Sequence, residues 1–475
     1  MLRALLLAAA LLPLQAAAVR ELPAPVREAL AAAGVPEAAV AAVVEPVGGG
    51  PPVVSHNARA PMNPASVMKV VTTYAALDLL GPAFTFRTDA YVSGELRHGV
   101  LTGNLHIRGG GDPKLTYDSL WRMARQLRVR GLREIRGDIV LDRSYFAPAA
   151  HDPARFDNDP RRAYNAGADA LLVNFNAINF RFVPEGDSVR VAAEPDLPNI
   201  EVASRLRLTN DPCTSFRRDL AHDVVEIGLL ATVTFTGTYP AACGERVLPL
   251  AIFDGARFTE SALRWLWGEA GGVLRGNVRA GAVPPEARLL LRQDSEPLAN
   301  LVRDMNKYSS NVMARHLFLA LSAEPGGFGG DAAASARVVA AWLRGRRIDA
   351  PELVIDNGSG LSRDARVSAA TLAAILRQAW SHAAMPEMVS SLPVLAVDGT
   401  LKSRRARGAA GHAHIKGGTL ADVQSAAGYV LDHEGKRWIV AMMINHARAG
   451  AAQGALDALV EWTYESAGRR WRGEG

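Results

Sequence analysis

A serine and a lysine three residues apart could together supply a nucleophile and its base. Ser66-Val67-Met68-Lys69 is the only place in the chain where serine precedes lysine at this spacing. On a helix, residues i and i+3 share a face, so the Lys69 amine can reach the Ser66 hydroxyl. Serine is a weak nucleophile until a neighbouring base takes its proton, and a desolvated lysine can be that base. Taken alone the pattern is weak, because a serine at a helix start and an unrelated surface lysine give the same sequence.

The scarcity of lysine makes the position of each one informative. Among the 53 lysine and arginine residues, the only lysines are Lys69, Lys114, Lys307, Lys402, Lys416 and Lys436. A lysine amine can lose its proton when it is buried, whereas an arginine guanidinium stays charged and cannot act as a general base. In a chain that uses arginine almost everywhere, a lysine therefore indicates a position that requires an amine.

Two later motifs add polar and cationic side chains of the same kind. Ser309-Ser310-Asn311 interrupts an apolar helical pattern, where serine and asparagine ordinarily cost stability or mark a bend. His414-Ile415-Lys416-Gly417-Gly418-Thr419 lies at the end of a predicted strand and places a cation beside bare backbone. Glycines at such a position would let a substrate lie against the strand edge.

The elements that must position these motifs form an α/β pattern that is split by a β-rich stretch. Apolar residues recur on a helical period over 66–80, and Gly81-Pro82 ends that helix. Residues 84–265 consist of short alternating segments with turn signals, which predicts mostly β structure. Beyond them the pattern predicts helices over 298–321, 332–345, 368–380 and 451–465, and strands over 414–416, 426–431 and 438–445.

The three motifs, in this order, resemble the S-x-x-K, S-x-N and K-[T/S]-G signature of penicillin-binding proteins and serine β-lactamases. Segments 105–116, 357–363 and 397–401 also resemble the class C low-molecular-mass penicillin-binding proteins. That group comprises D-Ala-D-Ala carboxypeptidase/endopeptidases, of the S13 peptidase type, with a large insertion between the first and second motifs. The resemblance extends over nearly the whole chain beyond its first residues.

The resemblance implies an α+β fold. A serine β-lactamase/DD-peptidase-like domain, with a five-stranded antiparallel sheet flanked by helical clusters, would be split by a large β-rich insertion. The predicted organisation is a signal peptide at 1–18, the peptidase domain at 19–83 and 266–475, and the insertion, in two subdomains, at 84–265.

The resemblance also implies a role for each motif residue. Ser66 would be the acylated nucleophile and Lys69 its base. Ser309 would relay a proton, and Asn311 would hold the substrate amide and the lysine. Lys416 would be an electrostatic anchor for the substrate.

The third motif departs from the family pattern at one position. The backbone N–H groups of Ser66 and Thr419 would form an oxyanion hole, with Gly418 as bare backbone between Thr419 and the lysine. The family has threonine or serine where this chain has Gly417. That hydroxyl helps to hold the terminal carboxylate, so its loss puts carboxypeptidase efficiency and penicillin affinity in doubt.

Two residues outside the motifs match substrate-binding positions of the family. Asp159 would attract the free ammonium of a diaminopimelate side chain, and Arg363 would bind its carboxylate. The alternative is a capping aspartate before Pro160 and a surface arginine.

The first residues have the order of a secretory signal peptide. A basic start at Arg3 is followed by an apolar run to Leu14 and by small residues to Ala18. The run is too short to span a bilayer, and no later segment has 18 uninterrupted apolar residues. We expect cleavage near Ala18, export to the periplasm and no integral membrane anchor, with a buried N-terminal helix as the alternative.

Cys213 and Cys243 are the only cysteines in the chain. In an oxidising compartment they could form one disulfide that closes a local loop. The alternative is two free buried thiols.

The expected function is that of a serine D,D-carboxypeptidase/endopeptidase with peptidoglycan stem peptides and β-lactam antibiotics as its partners. No metal or other cofactor is expected. The net charge of +5 is mild and the chain has no basic run with interleaved aromatics, which argues against nucleic acid as a partner. A serine β-lactamase is the nearest rival, but the long insertion argues against that compact class. A non-catalytic wall-binding protein is the rival that Gly417 suggests. The balance of the two cleavages and the oligomeric state stay open.

Overall fold

The computed structural model describes residues 21–472. The predicted signal peptide at 1–18 lies outside the described residues. Within 21–472, no helix has the length and the apolar composition needed to cross a membrane.

Helices and strands alternate along the described chain. The helices are α1 Ala24–Ala33, α2 Met68–Leu79, α3 Tyr117–Val129, α4 Gly255–Glu269, α5 Leu298–Lys307, α6 Asn311–Ala323, α7 Ala332–Gly345, α8 Ala369–Trp380, α9 Met385–Ser391 and α10 Gln453–Arg472. The strands are β1 Val40–Pro46, β2 Val54–His56, β3 Arg87–Arg97, β4 Val100–Gly109, β5 Glu134–Ile135, β6 Ile139–Asp142, β7 Ile178–Glu185, β8 Ser188–Glu194, β9 Ile200–Thr209, β10 Leu220–Ile227, β11 Leu230–Pro240, β12 Arg246–Leu250, β13 Val273–Leu274, β14 Val278–Ala280, β15 Arg288–Asp294, β16 Ala413–Leu420, β17 Val423–Leu431 and β18 Arg437–Asn445.

A five-stranded antiparallel sheet lies between two helical layers. Its strand order is β16-β17-β18-β1-β2, so the two ends of the sequence meet in one sheet. Strand β1 is buried on both faces: Ala41 and Val43 join the core that contains α2 and α8, whereas Val40, Ala42 and Val44 join the core under α1 and α10. A strand covered on both sides reads as a continuous apolar run. The α+β fold expected from the resemblance is confirmed.

The intervening β-rich region contains one large sheet and two small ones. The large sheet is seven-stranded and includes β3, β4 and β15, with α3 and α4 against it. The small sheets have the orders β10-β11-β9 and β12-β7-β8. Cys213 and Cys243 form a disulfide in the second half of this region. We propose that the large sheet and the pair of small sheets are the two subdomains.

Residues beyond 265 pair with the large sheet of the insertion. Strand β15 pairs antiparallel with β3, with Asp294 opposite Arg87. The large sheet is therefore incomplete without residues 288–294, and we propose that the insertion ends there rather than at 265. The pairing has no local sequence signal, because β3 and β15 are far apart in the chain.

Two helices in the insertion were not predicted. Helix α3 places Leu120, Met123, Ala124 and Leu127 on one buried face, and the Thr116 hydroxyl caps its first turn. Short alternating segments dominate residues 84–265 and predict mostly β structure. A helical period of only a few turns is not distinguished from them.

Candidate active site

The nucleophile candidate lies on a tight turn that leads into α2. Ser66 is the middle residue of a 3₁₀ turn, Ala65–Val67, directly before Met68. Ala65 has φ of +46°, and Asn63 Oδ1 stabilises this conformation by accepting from the Ala65 N–H at 2.9 Å. Asn445, at the end of β18, exchanges two hydrogen bonds with the Asn63 backbone, of 2.7 and 3.0 Å. The turn is therefore fixed to β18 of the five-stranded antiparallel sheet.

Lys69 lies one turn along from Ser66, and its amine is completely buried. Its Nζ is 3.0 Å from Ser66 Oγ, 2.7 Å from Asn311 Oδ1 and 2.7 Å from the carbonyl oxygen of Ser359. The two carbonyl oxygens can only accept hydrogen bonds. A neutral amine therefore gives both of its N–H groups to them and directs its lone pair at the Ser66 hydroxyl.

The surroundings of Lys69 favour that neutral form. Burial lowers the pKa of Lys69 well below its usual range, and the charges of Lys416 and Arg315 lower it further. No carboxylate within the described chain forms an ion pair with the Lys69 amine, so no opposite charge offsets the desolvation cost of a buried ammonium. A lysine in this state can accept a proton from serine near neutral pH.

The second motif forms the break between α5 and α6. The predicted helix over 298–321 is wrong as a single element, because Lys307 ends α5 and Asn311 begins α6. Ser309 has φ of +56°, and the Ser310 hydroxyl caps α6 by accepting from the Met313 N–H. The polar motif thus forms the bend that serine and asparagine favour over a helix interior.

The third motif brings a second buried lysine to the site. Lys416 is completely buried on β16, and its Nζ donates to Ser309 Oγ at 3.0 Å and to the Gly417 carbonyl at 2.7 Å. Burial lowers the pKa of Lys416 to about 7. The five motif side chains therefore form two hydrogen-bonded groups, one around each lysine.

The edge of β16 lies directly against the nucleophile turn. A Cβ at Gly418 would be 2.8 Å from the Ser66 backbone nitrogen and 2.4 Å from Ser425 Oγ, so only glycine fits. Ser425 itself donates to the Pro64 carbonyl at 2.6 Å. This approach brings the Thr419 backbone close to the turn.

Asp159 and Arg363 lie outside this cluster. Asp159 accepts from Arg162 Nε at 2.7 Å, and Arg363 lies over the Phe156 ring, 4.8 Å from its centroid. Arg363 also approaches Asp422 Oδ1 at 3.4 Å. The stacking brings the segments around 156 and 363 together, but neither charged group contacts a motif residue among those described.

Two residues of the site were missed in the sequence. Ser359 contributes only a backbone carbonyl, which no residue type signals, although the segment 357–363 stood out by resemblance. Arg315 follows Asn311 by four residues on α6, and this helical spacing could have identified it. Lys307, the lysine just before the second motif, holds two segments of the chain together. Its amine donates to Asp398 and to the Leu392 carbonyl, each at 2.7 Å.

Comparison with known proteins gives the same family over most of the chain. The D-Ala-D-Ala carboxypeptidase 3 (S13) family matches residues 22–466. A D-alanyl-D-alanine carboxypeptidase of an Actinomadura species is 30% identical over 423 residues, which cover 86% of this chain and 78% of the relative. The D-alanyl-D-alanine carboxypeptidase DacB of Haemophilus influenzae is 25% identical over 423 residues, 84% of this chain and 83% of the relative.

Solved structures share the fold. Penicillin binding protein 4 of Haemophilus influenzae superposes with a TM-score of 0.76 at 23% identity, covering 93% of this chain and 99% of the other. A predatory endopeptidase of Bdellovibrio bacteriovorus, in complex with an immunity protein, has a TM-score of 0.53 at 16% identity, covering 90% and 93%. The family match over residues 22–466, together with the 30% identical carboxypeptidase, identifies the chain as a member of the D-Ala-D-Ala carboxypeptidase 3 (S13) family.

Proposed function

We propose that this chain hydrolyses the D-Ala-D-Ala termini and the D-Ala cross-links of peptidoglycan through an acyl-enzyme on Ser66. Its family supports the carboxypeptidase activity. The observation that carries the proposal is the contact between Ser66 and a buried Lys69 amine whose other two partners are carbonyl oxygens. A predatory endopeptidase has the same fold, which supports cleavage of cross-links as the second activity.

In acylation, Ser66 Oγ attacks the carbonyl carbon of the penultimate D-Ala while the neutral Lys69 amine takes the hydroxyl proton. The C–N bond then breaks, the proton taken up by Lys69 passes on to the departing D-Ala amine, and the peptide remains as an ester on Ser66. The proposed path for the proton to the leaving amine is through Ser309 Oγ and Lys416 Nζ, which lie 3.0 Å apart. Water then attacks the ester, which releases the shortened peptide as a carboxylate and restores the serine hydroxyl.

Backbone donors are the proposed oxyanion hole. The N–H groups of Ser66 and Thr419 would bind the oxygen that becomes negative in each tetrahedral intermediate, and Gly418 allows the close approach. Removal of one such donor typically costs roughly 3–4 kcal/mol of transition-state stabilisation. Asn311 would hold the substrate amide, as well as Lys69, because its Nδ2 is the donor on the other side of the same amide group.

Asp159 and Arg363 are proposed to bind the free end of the stem peptide's third residue. Asp159 would exchange its Arg162 contact for the substrate ammonium, and Arg363 would exchange Asp422 for the carboxylate. Both present contacts are partly solvent-exposed, and exposed ion pairs contribute little net energy, so exchange is inexpensive.

The same chemistry leads to covalent penicillin binding. Attack of Ser66 on the β-lactam carbonyl opens the ring, and the nitrogen cannot depart because it stays bonded to the rest of the acyl group. We propose, further, that the segment 1–18 directs export to the periplasm, where peptidoglycan and β-lactams meet the enzyme.

Intact-protein mass spectrometry after incubation with penicillin tests the proposal. The wild-type protein should gain the mass of one penicillin, and Ser66→Ala should gain none while its circular dichroism is unchanged. Ser403→Ala, which removes an exposed serine hydroxyl, is the matched control and should be labelled like the wild type. Labelling of Ser66→Ala at another residue would refute the assignment. Rapid loss of the added mass would instead favour a β-lactamase.

A further inference from the structure

Lys307 lies two residues before Ser309 but has no part in the proposed chemistry. It is the last residue of α5, and its ammonium donates at 2.7 Å both to Asp398 Oδ2 and to the carbonyl oxygen of Leu392. Only 12% of the Lys307 side chain is exposed, whereas 41% of the Asp398 side chain is. The contact joins the end of α5 to residues 392–399, which we call the linking segment.

The backbone of the linking segment also meets the end of α5. Gly399 has φ of +55°, and a Cβ built there would be 2.6 Å from the Lys307 carbonyl oxygen. Only glycine therefore allows this approach. Asp398 Oδ1 accepts from the Val394 N–H at 2.8 Å, while its Oδ2 accepts from Lys307. One carboxylate thus shapes the turn of the linking segment and holds that turn against the helix.

The linking segment also pairs with β16, the strand of the third motif. The Ile415 N–H donates to the Pro393 carbonyl at 2.8 Å, and the Leu395 N–H donates to the Ala413 carbonyl at 2.9 Å. Ile415 comes directly before Lys416 in the chain. The linking segment therefore contacts both the end of α5, which leads into the second motif, and the strand that carries the third.

We propose that the Lys307–Asp398 ion pair positions Ser309 against Lys416, whose Nζ lies 3.0 Å from Ser309 Oγ. Ser309 follows the end of α5 and has φ of +56°, so the place of its hydroxyl depends on where α5 ends relative to β16. The linking segment sets that relation because it contacts both elements. This role rests on the proposed function, in which a proton passes through Ser309 and Lys416 to the leaving nitrogen.

A double-mutant cycle on penicillin acylation tests this role, since the β-lactam nitrogen also takes a proton when the ring opens. Lys307→Met removes the ammonium, and Asp398→Asn removes the partner charge while its Oδ1 can still accept from the Val394 N–H. Each substitution should slow acylation by roughly 10- to 100-fold, because a small misplacement of a reacting group has a cost of this size. In the Ser309→Ala background, each should slow it by about two-fold at most, because the hydroxyl to be positioned is absent.

Lys114→Met is the matched control. Lys114 is also a partly buried lysine with two partners, Glu296 at 2.8 Å and Asp304 on α5 at 2.6 Å. It reaches α5 from the insertion, however, and its amine does not contact the linking segment. Loss of this ion-paired lysine should leave the acylation rate unchanged.

Steady-state kinetics on a pentapeptide give a second readout. The loss in Lys307→Met and in Asp398→Asn should be in kcat, with KM unchanged, because the positioned hydroxyl acts on the leaving group in the transition state. Lys307→Arg keeps a cation beside Asp398 and should recover most of kcat. A rise in KM with kcat unchanged would mean that the ion pair shapes substrate binding instead, and would overturn the proposed role.

Other outcomes also overturn the role of the ion pair without touching the proposed function. Equal losses in the wild-type and Ser309→Ala backgrounds, or a loss in Lys307→Met no larger than in Lys114→Met, would leave the ion pair a contribution to stability only. Asp398→Asn carries the test if Lys307→Met does not fold, because the Asp398 side chain is the more exposed partner. The proposed function itself fails only if the wild-type protein is not acylated on Ser66, which the same labelling measures.

Discussion

Replacement of Gly417 by threonine should restore a hydroxyl at the position where the third motif departs from the family pattern. Gly417 is in extended strand backbone, paired with Ala426. A Cβ built there would meet only Leu401 Cδ2, at 3.9 Å, among the described residues. A Cβ at this position therefore fits without moving a neighbour, and the difference between threonine and valine would report on the hydroxyl.

The expected gain follows from the strength of one hydrogen bond to a carboxylate. Such a bond is worth roughly 1.5–3 kcal/mol, which corresponds to about a ten- to a hundred-fold increase in kcat/KM. The neighbouring Thr419 is not an equivalent substitute, because its hydroxyl already donates to Gln424 Oε1 at 3.1 Å. Release of D-Ala should gain most, since its leaving group ends in the carboxylate. Cleavage of cross-linked dimers, with a larger leaving peptide, should gain less.

Steady-state kcat/KM on a pentapeptide and on a cross-linked dimer measures both effects. Gly417→Val is the matched control, because valine has the shape of threonine without its hydroxyl. Threonine should exceed valine on the pentapeptide by the factor given above. Equal rates for the two variants, or equal gains on both substrates, would show that the hydroxyl has no role in holding the carboxylate.

Four further predictions concern the buried lysines, the strand edge and the disulfide. Lys69→Arg should slow acylation by roughly 10²–10⁴-fold in stopped-flow penicillin assays, because a guanidinium cannot take the serine proton; near wild-type rates would contradict the base. Gly418→Ala should abolish labelling in a folded protein, since its Cβ would be 2.8 Å from the nucleophile's backbone nitrogen; normal labelling would refute the close approach. Lys416→Met should lose activity yet raise the free energy of unfolding at pH 7 by roughly 2–4 kcal/mol. The folded-state pKa of Lys416, about 7, is below its unfolded value of 10.5, so the stability of the wild-type protein falls as the pH drops from 10.5 towards 7. Equal free energies of unfolding of the wild-type protein at pH 7 and pH 9.5 would contradict this. A non-reducing peptide map of the exported protein should contain a Cys213–Cys243 linked peptide, and two free thiols would contradict the structure.

The motif residues could be predicted from the sequence because their side-chain types are unusual where they occur. Lys69 and Lys416 stood out in an arginine-rich chain, and both are buried in the structure without an ion pair among the described residues. The carbonyl of Ser359 could not be predicted in the same way. Any residue offers a carbonyl, and only the fold decides which one reaches the amine.

The break between α5 and α6 and the proposed later end of the insertion have a common physical cause. The helical period of α5 continues in phase into α6, so the sequence pattern passes through Ser309 without recording its positive φ. Strand β15 pairs with β3, which lies far earlier in the chain, and periodicity measures only near neighbours. Local pattern therefore predicts single helices and strands better than it predicts pairing between distant strands.

The pairing of β3 with β15 has a consequence for how such a chain can arise. The insertion enters and leaves the peptidase domain side by side: the Ser295 N–H donates to the Phe86 carbonyl at 2.9 Å, and the Phe86 N–H donates to Ser295 Oγ at 3.0 Å. A few residues would be enough to join these two points directly. We propose that the more than two hundred residues between them form a module that one insertion or deletion could add or remove without changing the strand order of the five-stranded sheet.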